Sequence, residues 1–229
     1  MERLDLAKIS VRDLNQFFHR GLGDSREREF EVLHPNGQHN IAVGLDAPVR
    51  VHIRGHAGYF VAGMNQQAEV TVYGNVGWSV AENIVSGIVR VKGFASECAG
   101  ASGRGGLVVI EGDASSRCGI SLKGADIVVG GGVGHMSAFM AQAGHLVVCG
   151  DAGAGLGDSL YEAVIYVRGQ IEGLGADARE EPMAQQDWDR AGALLAAAGF
   201  DHDPKGFKRV ASAKTLYHWS PEQREGFIA

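Results

Sequence analysis

Apolar and polar residues alternate over short stretches of this chain, and the alternation recurs at a fixed interval. Between Arg50 and Ala178 the pattern apolar-x-apolar-x-Gly-x-apolar returns on Gly55, Gly74, Gly93, Gly112, Gly131, Gly150 and Gly169, with 19 residues from each glycine to the next. Val51 and Ile53 precede the first of these glycines, Val70 and Val72 the second, Val89 and Val91 the third, and branched or leucine residues hold the same places in the rest. Period-two alternation of branched residues predicts a short strand in each unit. The glycine predicts a bend that needs either a positive φ or close approach of two backbones. Seven residues beyond each glycine the side chain stays small (Ala62, Ala81, Gly100, Gly119, Ala138, Gly157, Ala176), which predicts a tight inner corner.

A unit of this length cannot bury its own apolar face, but stacked units can. The strands are too short, and the remainder too rich in Gly, Ala and Ser, for a helical repeat. The pattern therefore predicts an all-β fold: a parallel β-helix of about seven 19-residue coils, roughly 34 Å long at the usual strand spacing. Its expected hand is right, as for parallel crossovers in general.

The flanks break the pattern. Residues 1–48 read as an N-terminal cap. Ser10 and Asp13 form a variant capping box ahead of a short helix carrying Leu14, Phe17 and Phe18 and ending near Gly21. Phe30 to Leu33 and Ile41 to Val43 read as two strands of a hairpin around Asn36-Gly37. Val32 is in phase with the repeat, and Asn36 stands where a rung glycine would fall. Residues 49–178 are the β-helix. Residues 179–229 read as a helix from Gln185 to Ala198, stopped by Gly199 and capping the last coil through Trp188, Leu194 and Leu195, followed by a partner-contacting tail. That tail, with Phe207, Lys208, Arg209, Tyr217 and Trp219, mixes basic and aromatic residues and is too short for a core of its own.

Composition narrows the function. The net charge of -6 and the lack of a dominant basic patch argue against a nucleic-acid binder. No apolar run approaches membrane-spanning length. The three cysteines, Cys98, Cys118 and Cys149, fall at different phases of the repeat without C-x-x-C spacing. They predict reduced thiols in a cytoplasmic protein and no iron–sulfur cluster held by this chain.

Two glycine-rich stretches invite a nucleotide or phosphate reading. Ile127 to Gly134 resembles a dinucleotide-binding turn with Asp151 downstream. The same strand recurs in every unit, however, and no helix of 10–15 residues is predicted after it. The stretch Gly153 to Gly157 could cradle phosphate through backbone N–H groups, but it is read as a coil corner. His135 and His145 lie at different phases without a matching acidic cluster, so no metal site is expected. His52 and His56 flank one rung and are expected to face solvent. Candidate partner contacts are the apolar and charged residues of the variable arcs: Tyr59, Phe60, Trp78, Arg104, Arg117, His135 and Phe139. A free-standing polysaccharide-active β-helix would need paired carboxylates along one coil face, and no convincing pair is present.

The glycine ladder from about Ala47 to Ala178 resembles the GXGXG β-helix domain found at the C-terminal end of glutamate synthase large subunits. Gly100 to Gly103, Ala114 to Cys118 and Gly134 to Met140 fall on motifs of that family. Cys118, Gly134 and Gln142-Ala143 depart from them. Ala62 to Gln66, Gly105 to Gly112, Ser115 to Ser121 and Val133 to Met140 make the whole chain most similar to the small β-helix subunits of N-methylglutamate synthases, also called methylamine–glutamate N-methyltransferases. The resemblance implies a non-catalytic structural subunit. Its expected partners are a class II glutamine amidotransferase-like subunit and an FMN-binding glutamate synthase-like subunit, which would carry the FMN and the iron–sulfur cluster. The implied reaction joins methylamine to L-glutamate, giving N-methyl-L-glutamate and ammonia, by amine exchange at the glutamate α-carbon. The alternative is a scaffold in another glutamate synthase-like or formylmethanofuran dehydrogenase-like complex.

Overall fold

The computed structural model describes residues 1–22 and 28–214. Its spine is a parallel stack of strands: β1 (Glu2–Asp5), β2 (Glu29–Leu33), β3 (Arg50–Arg54), β4 (Glu69–Val72), β5 (Ile88–Val91), β6 (Leu107–Ile110), β7 (Lys123–Val129), β8 (Ala143–Val148) and β9 (Val164–Val167). Val51 pairs with Val70, Val70 with Val89 and so on to Leu146 with Ile165, one 19-residue step each time. The chain is a parallel β-solenoid of about seven turns. A second ladder of bridges joins Ala57, Val76, Ala95, Ala114, Val133, Ala152 and Ile171 across successive coils. The inward side chains of both ladders form one continuous core.

The rung glycines are explained by close approach. Each N–H from Gly93 to Gly169 donates to the carbonyl of the rung glycine one coil earlier, at 2.8–3.1 Å. A Cβ on Gly150 would lie 2.6 Å from the Gly131 carbonyl carbon. Only Gly55 among the rungs takes a left-handed φ. The small corner residues carry the conformational demand instead. Ala62, Ala81, Gly100, Gly119, Ala138 and Gly157 have φ between 53 and 70°, and the residues two before and two after them are left-handed as well, as with Phe60, Ala62 and Met64. A left-handed alanine is unfavourable alone. It is held here because its N–H reaches a neighbouring coil, as from Ala81 to Val61 O at 2.8 Å.

The N-terminal segment differs from its expected form. The capping box is present: Asp13 N–H donates to Ser10 Oγ at 3.1 Å and Ser10 N–H to Asp13 Oδ2 at 3.3 Å. Helix α1 (Val11–Gln16) continues into a π-helical turn, Phe17–Gly21, and Phe17 and Phe18 each pack edge to face with Phe30 of β2. No hairpin forms at Asn36-Gly37. Both residues take left-handed φ, as the dipeptide favours, but they turn a corner of the solenoid, and β2 pairs in parallel with β1 and β3. Phe30 faces Val51 and Val32 faces Ile53, so this coil is two residues longer than the repeat. An even insertion keeps Phe30 and Val32 facing inward. The stacked sheet therefore begins well before residue 49.

The C-terminal segment also differs. Helix α2 (Gln185–Ala198), closed by left-handed Gly199, does not sit on the last coil. It lies across the outer face of the sheet, where Ala191, Leu194, Leu195 and Ala198 bury Val109, Val128, Val147 and Tyr166 together with Phe207. The cover explains a change along the strands. The outward position is polar in β3 to β5 (His52, Thr71, Arg90) and becomes apolar from β6 onward, as expected of strands buried on both faces. The edge of β9 is closed by β11 (Lys208–Ser212), antiparallel to it, and β10 (Ala178–Glu181) pairs antiparallel beyond β11. Among the described residues no helix is long and apolar enough to cross a membrane.

Candidate partner-binding face

Four residues after each rung glycine the chain leaves the sheet and enters the exposed arc. Successive coils place Tyr59, Trp78, Glu97, Ser116 and His135 on this one line. The Tyr59 and Trp78 rings stack with centroids 5.2 Å apart and planes 13° apart, and His39 of the first coil stacks on the other face of Tyr59 at 4.3 Å. The coil spacing matches the stacking distance, so the repeat itself aligns the rings. His39 Nδ1 accepts from Tyr59 N–H at 2.8 Å, which fixes the ring and leaves the proton of the neutral imidazole on Nε2. Tyr59 is 41% exposed and Trp78 49%, and the adjacent Phe60 and Met64 are also exposed. Stacked rings of this kind lose little freedom on binding and suit an interface anchor.

Other expected contacts lie elsewhere. Arg117 is exposed one position further along the arc, its Nη1 3.8 Å from Glu97 Oε2. His135 is exposed on the aromatic line but separated from Trp78 by Glu97 and Ser116. Phe139 is half-buried, and Arg104 is exposed on the return side of its coil. The structure therefore groups Tyr59, Phe60 and Trp78, and leaves Arg104, Arg117, His135 and Phe139 dispersed.

The glycine-rich stretch from 130 to 134 lines, through residues 131 to 134, an open groove of about 710 Å³ with Asp113, Asp151 and Glu172. Its N–H groups are all occupied. Gly130, Gly131, Val133 and Gly134 donate to backbone carbonyls of adjacent coils, and Gly132 donates to Asp113 Oδ1 at 2.7 Å. In the second stretch the N–H groups of Gly153, Ala154, Leu156 and Gly157 are taken as well. Neither stretch offers phosphate a cradle, and the carboxylates would repel it. Among the described residues no group of three or more His, Cys, Asp or Glu side chains is placed to hold a metal ion.

No family profile matches the chain. It is 50% identical over 228 residues to Protein GlxC of Rhizobium meliloti (strain 1021), an alignment that covers 99% of this chain and 100% of the relative. The chain belongs to the GlxC family.

In this GlxC-family chain the C-terminal segment up to residue 214 serves the fold. Phe207 is 5% exposed under α2. Lys208 Nζ donates to Gly169 O at 3.0 Å, and Arg209 Nε donates to Asp187 Oδ1 at 3.0 Å and also pairs with Glu181. β9 offers an open edge that Lys208 and Arg209 take up as part of β11, and Phe207 packs beneath α2, so in the described structure these three residues lie on their own chain. Tyr217 and Trp219 lie outside the described residues. Asp187 is buried but satisfied, accepting also from the Tyr166 hydroxyl at 3.0 Å. Burial in the first place, then the neighbouring Asp187 carboxylate, pushes the Tyr166 hydroxyl well above the ordinary tyrosine range.

Sequence reasoning missed three features of the GlxC-family chain. His39 completes the aromatic stack, but it lies outside the seven-unit pattern. Side chains just after the rung glycines cap the next coil, as when His56 Nδ1 accepts from Asn75 N–H at 2.9 Å and Asp151 Oδ1 from Gln170 N–H at 2.7 Å. The sequence signal for these caps is the run of His, Asn and Asp at one phase, His56, Asn75, Asp113 and Asp151. His52 is likewise engaged, with its Nε2 3.0 Å from Glu29 Oε1.

Proposed function

We propose that this chain is the structural β-helix subunit of a heteromeric, glutamate synthase-related enzyme of the N-methylglutamate synthase type. The observation that carries the reading is the exposed, pre-stacked His39–Tyr59–Trp78 line on a rigid lateral face. A solenoid fixes its strands by inter-coil pairing, so its arcs are free to vary into a binding surface. The GXGXG motifs add the family context.

On this reading the amidotransferase-like and flavin-binding chains do the chemistry, joining methylamine to L-glutamate with loss of ammonia, and this chain holds them in register. FMN and the iron–sulfur cluster would sit on the flavin-binding partner and supply the redox step. The test is native purification of the chain from its source, with mass spectrometry of co-eluting proteins and assay of N-methyl-L-glutamate formation. Co-elution with both partner types is expected, along with activity that disappears when this chain is left out of reconstitution. Full turnover by the partners alone would overturn the proposal. Within an intact complex, Arg117→Ala and His135→Ala should leave turnover within a few-fold of the parent. A loss of several orders of magnitude would place these side chains at the active site instead.

A further inference from the structure

A pocket of about 590 Å³ lies between α1 with its π-helical turn and the corner of the first coil. Its lining carries Arg12, Arg20, His19 and His39, with Asn15 and Gln16 beside them, and no described carboxylate lines it. This concentration of cationic and donor groups stands out in a chain of net charge -6. The nearest acid in sequence, Asp13, is engaged in the capping box with Ser10.

The walls are built and not merely gathered. Asn15 Nδ2 donates to Asn40 O at 2.8 Å, and His19 Nε2 lies 2.8 Å from Val43 O, as its donor. His39 Nδ1 accepts from Tyr59 N–H at 2.8 Å. Three side chains, two on the helical segment and one on the first coil, are thus anchored to backbone of the first two coils. The anchor on His39 leaves its Nε2–H as a donor for another group. The anchor on His19 leaves Nδ1 as its remaining site, a second donor when the ring is protonated. His19 and Arg20 belong to the π-helical turn, a distortion that is uncommon and recurs at functional sites.

We propose that this pocket binds a small oxyanion, a phosphate or a carboxylate, between the Arg12 and Arg20 guanidinium groups and the His39 Nε2–H. Two guanidinium forks and fixed imidazoles match the geometry of such groups. The size of the pocket suits a small molecule. This inference stands apart from the proposed role as a scaffold, because the pocket is formed entirely within one chain.

Isothermal titration of the full chain at low ionic strength, with inorganic phosphate in one arm and succinate in the other, provides the test. Saturable binding of at least one probe is expected, and the arm that responds names the source of the anion. R12A/R20A should weaken binding by about tenfold or more, the equivalent of one lost charge-assisted hydrogen bond, whereas Arg104→Ala should leave it unchanged. Both arginines are exposed, so the double variant should stay folded by circular dichroism; if it does not, R20Q carries the same comparison. The proposal is overturned if neither probe binds saturably, or if the pocket variant binds as well as the parent, or if Arg104→Ala weakens binding equally.

Discussion

A single methyl group added at Gly150 would stand 2.6 Å from the Gly131 carbonyl carbon and 2.7 Å from the Gly132 nitrogen, both backbone atoms held by the coil ladder. Neither can yield without disturbing the coils on either side. Gly150→Ala should therefore destabilise the chain by about 1–3 kcal/mol, the range for overpacking, read as a lowered denaturation midpoint with an unchanged slope. Gly37→Ala separates the two demands on glycine, because its Cβ would meet nothing within 4 Å and its left-handed φ is the sole obstacle. The cysteines give a second test at this scale. Burial pushes the Cys118 thiol up to about 12 and Cys149 up to about 11, and burial also raises half-buried Cys98 above the ordinary thiol range. Because the thiolate is the reactive form, raised values leave little of it near neutrality. Native chain should react slowly with a thiol reagent at pH 7, and faster as pH rises. Cys98 should react first and all three cysteines promptly after denaturation. Rapid modification of Cys118 in the native state would contradict its burial.

Helix α2 is held to the sheet by an apolar seam and a ring of polar contacts. Leu195 sits at the centre of the seam, almost wholly buried. Around it Arg90 Nη1 donates to Ala198 O at 2.8 Å, Arg190 Nη2 lies 3.0 Å from Asp126 Oδ2, and Tyr166 reaches Asp187. Leu195→Ala should cost about 2–5 kcal/mol, with faster amide exchange in β6 to β8 as the checking measurement. The elements differed in how far the sequence disclosed them. The β-helix was legible because Val51, Val70, Val89 and their counterparts repeat at a constant interval, and a repeat constrains all of its copies at once. Helix α2 was legible in extent, through its alanines, leucines and Gly199. Its position was not read, although the outward residues of β6 to β9 turning apolar from Val109 onward was the available clue. The strand role of Lys208–Ser212 was hidden because its partner edge on β9 is distant in sequence and antiparallel, outside any periodic signal. Of the candidate site, Tyr59 and Trp78 were legible as exposed aromatics at one phase. His39 was not, since it stands 20 residues before Tyr59, one position off the 19-residue phase.

The whole molecule is a rod with one sheet face covered by α2 and an arc carrying a line of stacked rings. If this line anchors a partner, Tyr59→Ala combined with Trp78→Ala should weaken assembly by about 2 kcal/mol or more. Both side chains lie on the exposed arc, outside the core, so the thermal midpoint of the isolated chain should change little. Analytical ultracentrifugation of the reconstituted complex, set beside thermal denaturation of the free subunit, checks both halves. The closing strand has a consequence of another kind. Although β11 lies between β9 and β10, it is made after both. On the ribosome, where N-terminal parts fold first, coils β3 to β9 can settle in order of synthesis, each on a finished predecessor. The edge of β9 then waits, unpaired, until Lys208–Ser212 has emerged and slipped in ahead of β10. Synthesis through Ser212 is thereby written into the topology: a chain stopped short of it displays a bare strand edge, and one translated through Ser212 conceals it.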